Sequence, residues 1–154
     1  MSSFTQLNYH LVFGTKYRHH WIKNDIEEEL YEYIGGIIRN LNGSLIEIGG
    51  VADHIHILAR LSPALAVSDA IRKIKSGSSK WVSDLGGEYS QFSWQKGYSA
   101  FTVSYSHREL VKTYIMNQKE HHRQKSFAEE YIDFLKKHGI EFRMEWLFED
   151  EHHG

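Results

Sequence analysis

The sequence predicts an α+β sandwich, four strands and two intervening helices in the order β-α-β-β-α-β, with more helices after them. Three observations carry this. Alternating apolar residues mark strands near the start, in the middle and in the last third of the chain. Apolar residues at helical spacing fill the two stretches between them. A turn signal and a glycine pair punctuate the central region, where two strands follow one another.

Residues 5–17, "TQLNYHLVFGTKY", place Leu7, Tyr9, Leu11 and Phe13 on one side of a first strand. Asn24 is placed to cap a helix running to about Asn40, with Ile26, Leu30, Tyr33, Ile34, Ile37 and Ile38 at helical spacing. "NLNG" is a turn. "SLIEIGGV" is a second strand, expected to break at Gly49-Gly50, and "DHIHILARL" is a third, antiparallel to it and stopped by Pro63. A second helix covers 66–85, packing through Val67, Ala70, Ile71, Ile74, Ser78 and Val82. "GYSAFTVSY" is a fourth strand. Ser106 and Glu109 have the spacing of a capping box, and a third helix is expected from His107 to about Arg123. Residues 127–138 form a fourth helix closed by Gly139. This order is that of a ferredoxin-like, RRM-like sandwich: an antiparallel sheet with helices on one face, plus C-terminal helices.

At 154 residues the chain can bury one substantial core. Cysteine is absent, which excludes disulfides and thiolate metal sites. No stretch approaches the ~18 apolar residues of a membrane span, and the first ten residues lack the shape of a signal peptide. The expected location is therefore the cytoplasm, with no membrane contact. The net charge of −2 is unevenly spread: residues 127–154 carry −5 and residues 1–126 carry +3. A mildly basic body followed by an acidic segment remains compatible with a polyanionic partner.

The stretch "VADHIHILARL" raises the chemical question. Side chains two apart on a strand point the same way, so His54 and His56 project together from backbone positions roughly 7 Å apart. Both imidazoles can then meet one cation. A pair of histidines on an exposed sheet face is an equally weighted reading of the spacing. Asp53 is either a turn residue or a partner that orients an imidazole. In "VKTYIMNQ", Tyr114 and Gln118 share a helix face. Tyr114 is either a boundary core residue or a nucleophile, and Gln118 either solvated or an oxygen ligand. His121 and His122 diverge by ~100° around a helix and read as solvated or phosphate-facing. His152 and His153 read as part of a disordered tail.

"YHLVFGTKYR", "DHIHIL" and "VKTYIMNQ", in that order over about residues 5–125, resemble the single-tyrosine HUH transposases of bacterial insertion sequences, the IS200-like TnpA family. The resemblance implies that His54, His56 and Gln118 hold a divalent cation, Mg²⁺ or Mn²⁺, and that Tyr114 attacks single-stranded DNA. It implies a transposase domain over 1–126, with 127–154 an acidic helical extension of it, and a homodimer acting on DNA hairpins rather than on a small-molecule substrate. The chemistry suits those residues. An ordinary phenol, with a pKa of about 10, costs roughly 4 kcal/mol to ionise at pH 7, and a cation lowers that cost. A 5′-phosphotyrosine link keeps the phosphoester bond energy, so rejoining needs no ATP. Mixed nitrogen and oxygen donors match Mn²⁺ better, while Mg²⁺ is more abundant and Zn²⁺ is able to bind.

DNA contacts need positive charge beside flat surfaces. "TKYRHHW" offers Lys16 and Arg18 among aromatics, and the second helix offers Arg72, Lys73, Lys75 and Lys80. Two other classes fit parts of the pattern: a non-catalytic or domesticated protein that binds nucleic-acid hairpins, and a small metal-binding regulator.

Overall fold

The computed structural model describes residues 2–144 and 147. Its sheet contains β1 (Asn8–Gly14), β2 (Ser44–Val51), β3 (His54–Arg60) and β4 (Ser99–Val103). The strand order is β2-β3-β1-β4 and all neighbours are antiparallel. Helix α1 (Glu27–Asn40) links β1 to β2, and α2 (Val67–Ser83) links β3 to β4, giving the ferredoxin-like order. Three helices follow: α3 (Arg108–Met116), α4 (Gln118–His121) and α5 (Phe127–Lys137). Among the described residues no helix is long and apolar enough to cross a membrane.

Period-two patterning divides the strands between two interiors. Leu11 and Phe13 of β1, with Ile55, Ile57 and Ala59 of β3, face α1 and α2. They meet Leu30, Ile34 and Ile38 from α1 and Ala70, Ile71, Ile74 and Val82 from α2 in the main core. Asn24 does not cap α1. The helix begins later, at Glu27, with no side-chain cap, and Glu27, Glu28 and Glu29 sit where the helix dipole favours negative charge.

The opposite face of the sheet is covered as well. α3 lies along β2, and α5 adds Phe127, Tyr131 and Leu135 to a second cluster with Val12 and Phe101. This cover excludes the reading of His54 and His56 as surface histidines: both are 0% exposed. The glycine pair does not break β2, which continues to Val51. Instead Gly49 admits α3: a Cβ there would lie 2.6 Å from the Ile115 carbonyl oxygen. The expected third helix is two pieces, because Asn117 (φ −97°, ψ 19°) leaves helical geometry between α3 and α4.

The capping box is displaced too. Ser106 lies in a 3₁₀ turn, Tyr105–His107, with its hydroxyl toward Ser104 and His107, and α3 has no side-chain cap. The reciprocal Ser-x-x-Glu contact occurs at α5. There Ser126 Oγ accepts from the Glu129 N–H at 3.2 Å and donates to its carboxylate at 3.1 Å. Gly139, with φ +65°, follows the end of α5, the left-handed geometry that glycine tolerates. Of the acidic segment, Glu145, Glu149, Asp150 and Glu151 lie outside the described residues, as do His152 and His153.

Gly49→Ala is expected to destabilise the fold by about 2 kcal/mol, because a backbone atom rather than a flexible side chain must move. Gly36→Ala, in α1 with only the Arg39 guanidinium nearby, is expected to stabilise by up to about 1 kcal/mol. Urea unfolding of the two variants separates close approach from general glycine loss. Burial beneath the second cover also pushes the His10 pKa down to about 3. The unfolded chain takes up a proton below about pH 6.5 that folded His10 refuses, so this contribution is lost as pH falls from 6.5 toward 3. Relative to His10→Gln, the wild type should lose about 1 kcal/mol more between pH 7 and 5.5, read by urea unfolding at both.

Candidate metal and nucleophile site

The site lies between the inner face of β3 and the three C-terminal helices. Alternation on β3 aims His54 and His56 at this face while Ile55 turns to the main core. His54 Nδ1–H donates to Asp53 Oδ1 at 2.8 Å, so Asp53 orients that ring. His10 Nε2 lies 2.8 Å from His56 Nδ1 and supports the second ring from β1. Phe127 stacks on His54, with centroids 4.3 Å apart and planes 16° apart.

Tyr114, Gln118 and His122 recur every four residues along α3 and α4 and beyond, and all three reach the imidazoles. Gln118 Oε1 lies 3.2 Å from His54 Nε2 and 3.0 Å from His122 Nε2. His122 Nδ1–H donates to the Lys125 carbonyl. His122 is therefore an inward-facing member of the cluster rather than a solvated residue. His121 stays half-buried at the rim, 3.5 Å from Glu130.

Glu130 of α5 occupies the centre. It is 2% exposed. Its Oε1 lies 2.8 Å from His56 Nε2, 3.2 Å from His122 Nε2 and 3.3 Å from His54 Nε2. Its Oε2 accepts from the Tyr114 hydroxyl and, at 3.3 Å, from the Gln118 amide. Neither Glu130 nor His122 was among the residues expected to act here. Both carry a sequence signal: Glu130 interrupts the apolar stripe Phe127-Tyr131-Phe134 of α5, and His122 is one turn beyond Gln118.

The electrostatics follow from burial and these contacts. Burial opposes charge on Glu130, but hydrogen bonds from His122, His54 and His56 outweigh it and hold the carboxyl far below the usual range. Burial likewise opposes charge on His54, yet Asp53 and Glu130 together raise its pKa. Burial prevails at His56 and lowers it to about 4. Burial opposes charge on Asp53, but the His54 hydrogen bond together with the fields of His54, His20 and His122 lowers its pKa. Burial, then the Glu130 hydrogen bond, pushes the Tyr114 phenol well above its ordinary value.

His54, His56, His122 and Glu130 each offer a ligand atom, all within 4.8 Å of one another. Imidazole nitrogens with their outer N–H groups already engaged, facing a carboxylate and an amide oxygen, are a donor set that fits a divalent cation.

The basic residues lie around two depressions. Arg18, Lys119, Arg123 and Lys125 rim a cleft of about 560 Å³ that reaches Asp53 and His122. Lys16 sits at the exit of β1 with its ammonium 5.4 Å from the Tyr17 ring. Arg72 and Lys75 line a separate groove of about 440 Å³ with Trp94, Lys96 and Tyr98. The Lys75 ammonium donates to the carbonyls of Gln95 (2.8 Å) and Gly97 (2.6 Å), tying α2 to this loop. Lys73 is exposed on α2, and Lys80, also exposed, pairs with Asp84 at 2.8 Å.

Residues 3–118 match the family model described as "Transposase IS200 like". The chain is 26% identical over 126 residues to the ISDra2 transposase TnpA of Deinococcus radiodurans, covering 73% of this chain and 84% of that protein. It is 31% identical over 121 residues to the transposase for insertion sequence element IS200 of Salmonella typhimurium, covering 73% and 76%. Among solved structures it is similar in fold to a REP-associated tyrosine transposase bound to a REP hairpin. That likeness has a TM-score of 0.59 at 15% identity, over 79% of this chain and 74% of the other. With its fold, its central imidazole pair and this match over most of its length, the chain belongs to the IS200-like transposase family.

Proposed function

We propose that the chain cleaves and rejoins single-stranded DNA at hairpin-bearing element ends, with Tyr114 as the nucleophile and a divalent cation, Mg²⁺ or Mn²⁺, in attendance. One observation supports this most directly. The Tyr114 hydroxyl reaches the same carboxylate that the His54 and His56 Nε2 atoms face, within one chain. His54, His56 and Gln118 would hold the cation, which when bound supplies positive charge that polarises a phosphate and favours the phenolate.

The protein's own residues do the rest. Asp53 and His10 fix the two rings from behind. Burial and Glu130 keep Tyr114 protonated until positive charge gathers beside it. The Tyr114 oxygen, its proton passing to the Glu130 carboxylate that already accepts its hydrogen bond, then bonds to phosphorus as the bond from phosphorus to the 3′ oxygen breaks. The products are a 5′-phosphotyrosine link and a 3′-hydroxyl, whose proton comes from water. A second 3′-hydroxyl reverses the exchange, because one phosphoester has replaced another.

The cleft rimmed by Arg18 and Lys119 suits the strand that reaches Tyr114, with Lys16 extending it. The groove holding Arg72 and Lys75 beside Trp94 and Tyr98, with Lys73 and Lys80 on the same helix, suits the hairpin. The hairpin in the structural neighbour supports that class of ligand. A homodimer working in the cytoplasm completes the proposal.

The test uses labelled hairpin oligonucleotides with single-stranded flanks and Mn²⁺. The wild type should form a covalent adduct that survives denaturing electrophoresis. Tyr114→Phe should reduce the adduct to background while hairpin affinity changes less than about threefold. An adduct that persists in Tyr114→Phe removes this residue as nucleophile. Binding with no adduct in the wild type leaves a hairpin-binding protein without cleavage, and absent binding points to a metal-binding regulator.

A further inference from the structure

We propose that His122 and Glu130 are themselves ligands of the cation, so that the last helix completes the metal centre and biases it toward Mn²⁺ over Mg²⁺. The proposal rests on the reading of His54 and His56 as metal ligands. It concerns residues beyond position 118, where the family match ends.

Hydrogen bonding on the outer side of the rings sets what faces inward. The Asp53 carboxylate and the Lys125 carbonyl can only accept, so His54 and His122 both spend their Nδ1–H there. In their neutral forms, with Nδ1–H so engaged, these rings would turn Nε2 lone pairs inward. The Gln118 amide donates to Glu130 Oε2, which turns its own oxygen inward as well. A cation that displaced the Nε2 protons Glu130 now accepts would meet three imidazole nitrogens, one carboxylate oxygen and one amide oxygen.

Their spacing fits a single ion. The Glu130 Oε1 contacts of 2.8, 3.2 and 3.3 Å, and the Gln118 Oε1 contacts of 3.0 and 3.2 Å, are donor-to-donor distances. Donors arranged octahedrally at about 2.1 Å from an ion stand about 3 Å from their neighbours. Glu130 also divides its labour: Oε1 faces the nitrogens while Oε2 holds the Tyr114 hydroxyl beside them. An ion that takes six donors would have room for one phosphate oxygen beside these five. Three imidazoles among five donors favour Mn²⁺, since Mg²⁺ prefers oxygen and retains water.

Calorimetric titration of the metal-free full chain with Mn²⁺ and Mg²⁺ tests this without DNA. The wild type should bind Mn²⁺ at least tenfold more tightly than Mg²⁺. Glu130→Gln and His122→Ala should each weaken Mn²⁺ at least tenfold, with folding checked by circular dichroism. If Glu130→Gln binds Mn²⁺ as tightly as the wild type, or more tightly, Glu130 is a cover over the site and not a ligand, and the proposal falls. If His54→Ala also leaves Mn²⁺ affinity unchanged, the metal reading of the site falls with it. Pulsed electron paramagnetic resonance of Mn²⁺ on the wild type should count three coordinated imidazoles, and two would overturn the part played by His122. Should Glu130→Gln fail to fold, Glu130→Asp, which withdraws the carboxylate by one methylene, should weaken Mn²⁺ at least tenfold, and unchanged affinity overturns the proposal.

Discussion

The burial of a polar cluster on the inner face of the sheet is the constraint from which the rest of the architecture follows. A sheet with one solvated face would leave His10, His54 and His56 in water at no cost. Here C-terminal helices cover that face, and unpaired imidazoles beneath them would each carry a desolvation penalty. Glu130 removes most of it. One carboxylate, itself buried, accepts from or faces four imidazoles, a phenol and an amide. The apolar neighbours of Glu130 on α5 seat that helix, and the polar network fixes its rotation. Networks of this kind are costly when half satisfied, which ties the order of α5 to the order of the site.

The same network sorts charge. Four histidines within a few ångströms cannot all be protonated. His54, backed by Asp53 on one side and Glu130 on the other, is raised, whereas His10 and His56 are lowered by burial. Positive charge is thus drawn to the corner of the site where two carboxylates meet, beside the cleft rimmed by Arg18 and Lys119. A proton or a cation can serve there, and the Tyr114 phenol stays neutral until the balance shifts.

Much of this was legible in the sequence, for physical reasons that differ by element. The strands and α2 were clear because their apolar periods are long and their packing faces are uniform. The His-Ile-His alternation predicted correctly that both rings share a face and that Ile55 and Ile57 share the other. The reading failed where one residue decides between local alternatives. Ser106 and Ser126 both open a Ser-x-x-Glu pattern, and only the second finds its backbone donor. Gly49-Gly50 reads as a strand break because glycine weakens strands, but the close approach of α3 turns it into a contact surface. That His54 pairs with His56, and Tyr114 with Gln118, on shared faces was legible as spacing. Glu130 left a fainter mark, a polar break in the apolar stripe of α5, and periodicity alone does not say what that break faces.

The enclosure of the site bears on what can reach it. With α5 seated, His54 and His56 have no exposed surface, and the cleft past Arg18, Lys119 and Arg123 touches the edge of the site at Asp53 and His122. A rigid duplex presents its phosphates on a broad cylinder and cannot bring one of them into such a recess. A single strand bends at every nucleotide and can lower one phosphate while its neighbours stay on the basic rim. On the proposed reading, the two depressions therefore do different work. The groove at Arg72 and Trp94 would grip a folded element and set register, and the cleft would take the unpaired strand that follows it. The choice of single-stranded DNA would then come from the shape of the route to Tyr114 as much as from any base contact.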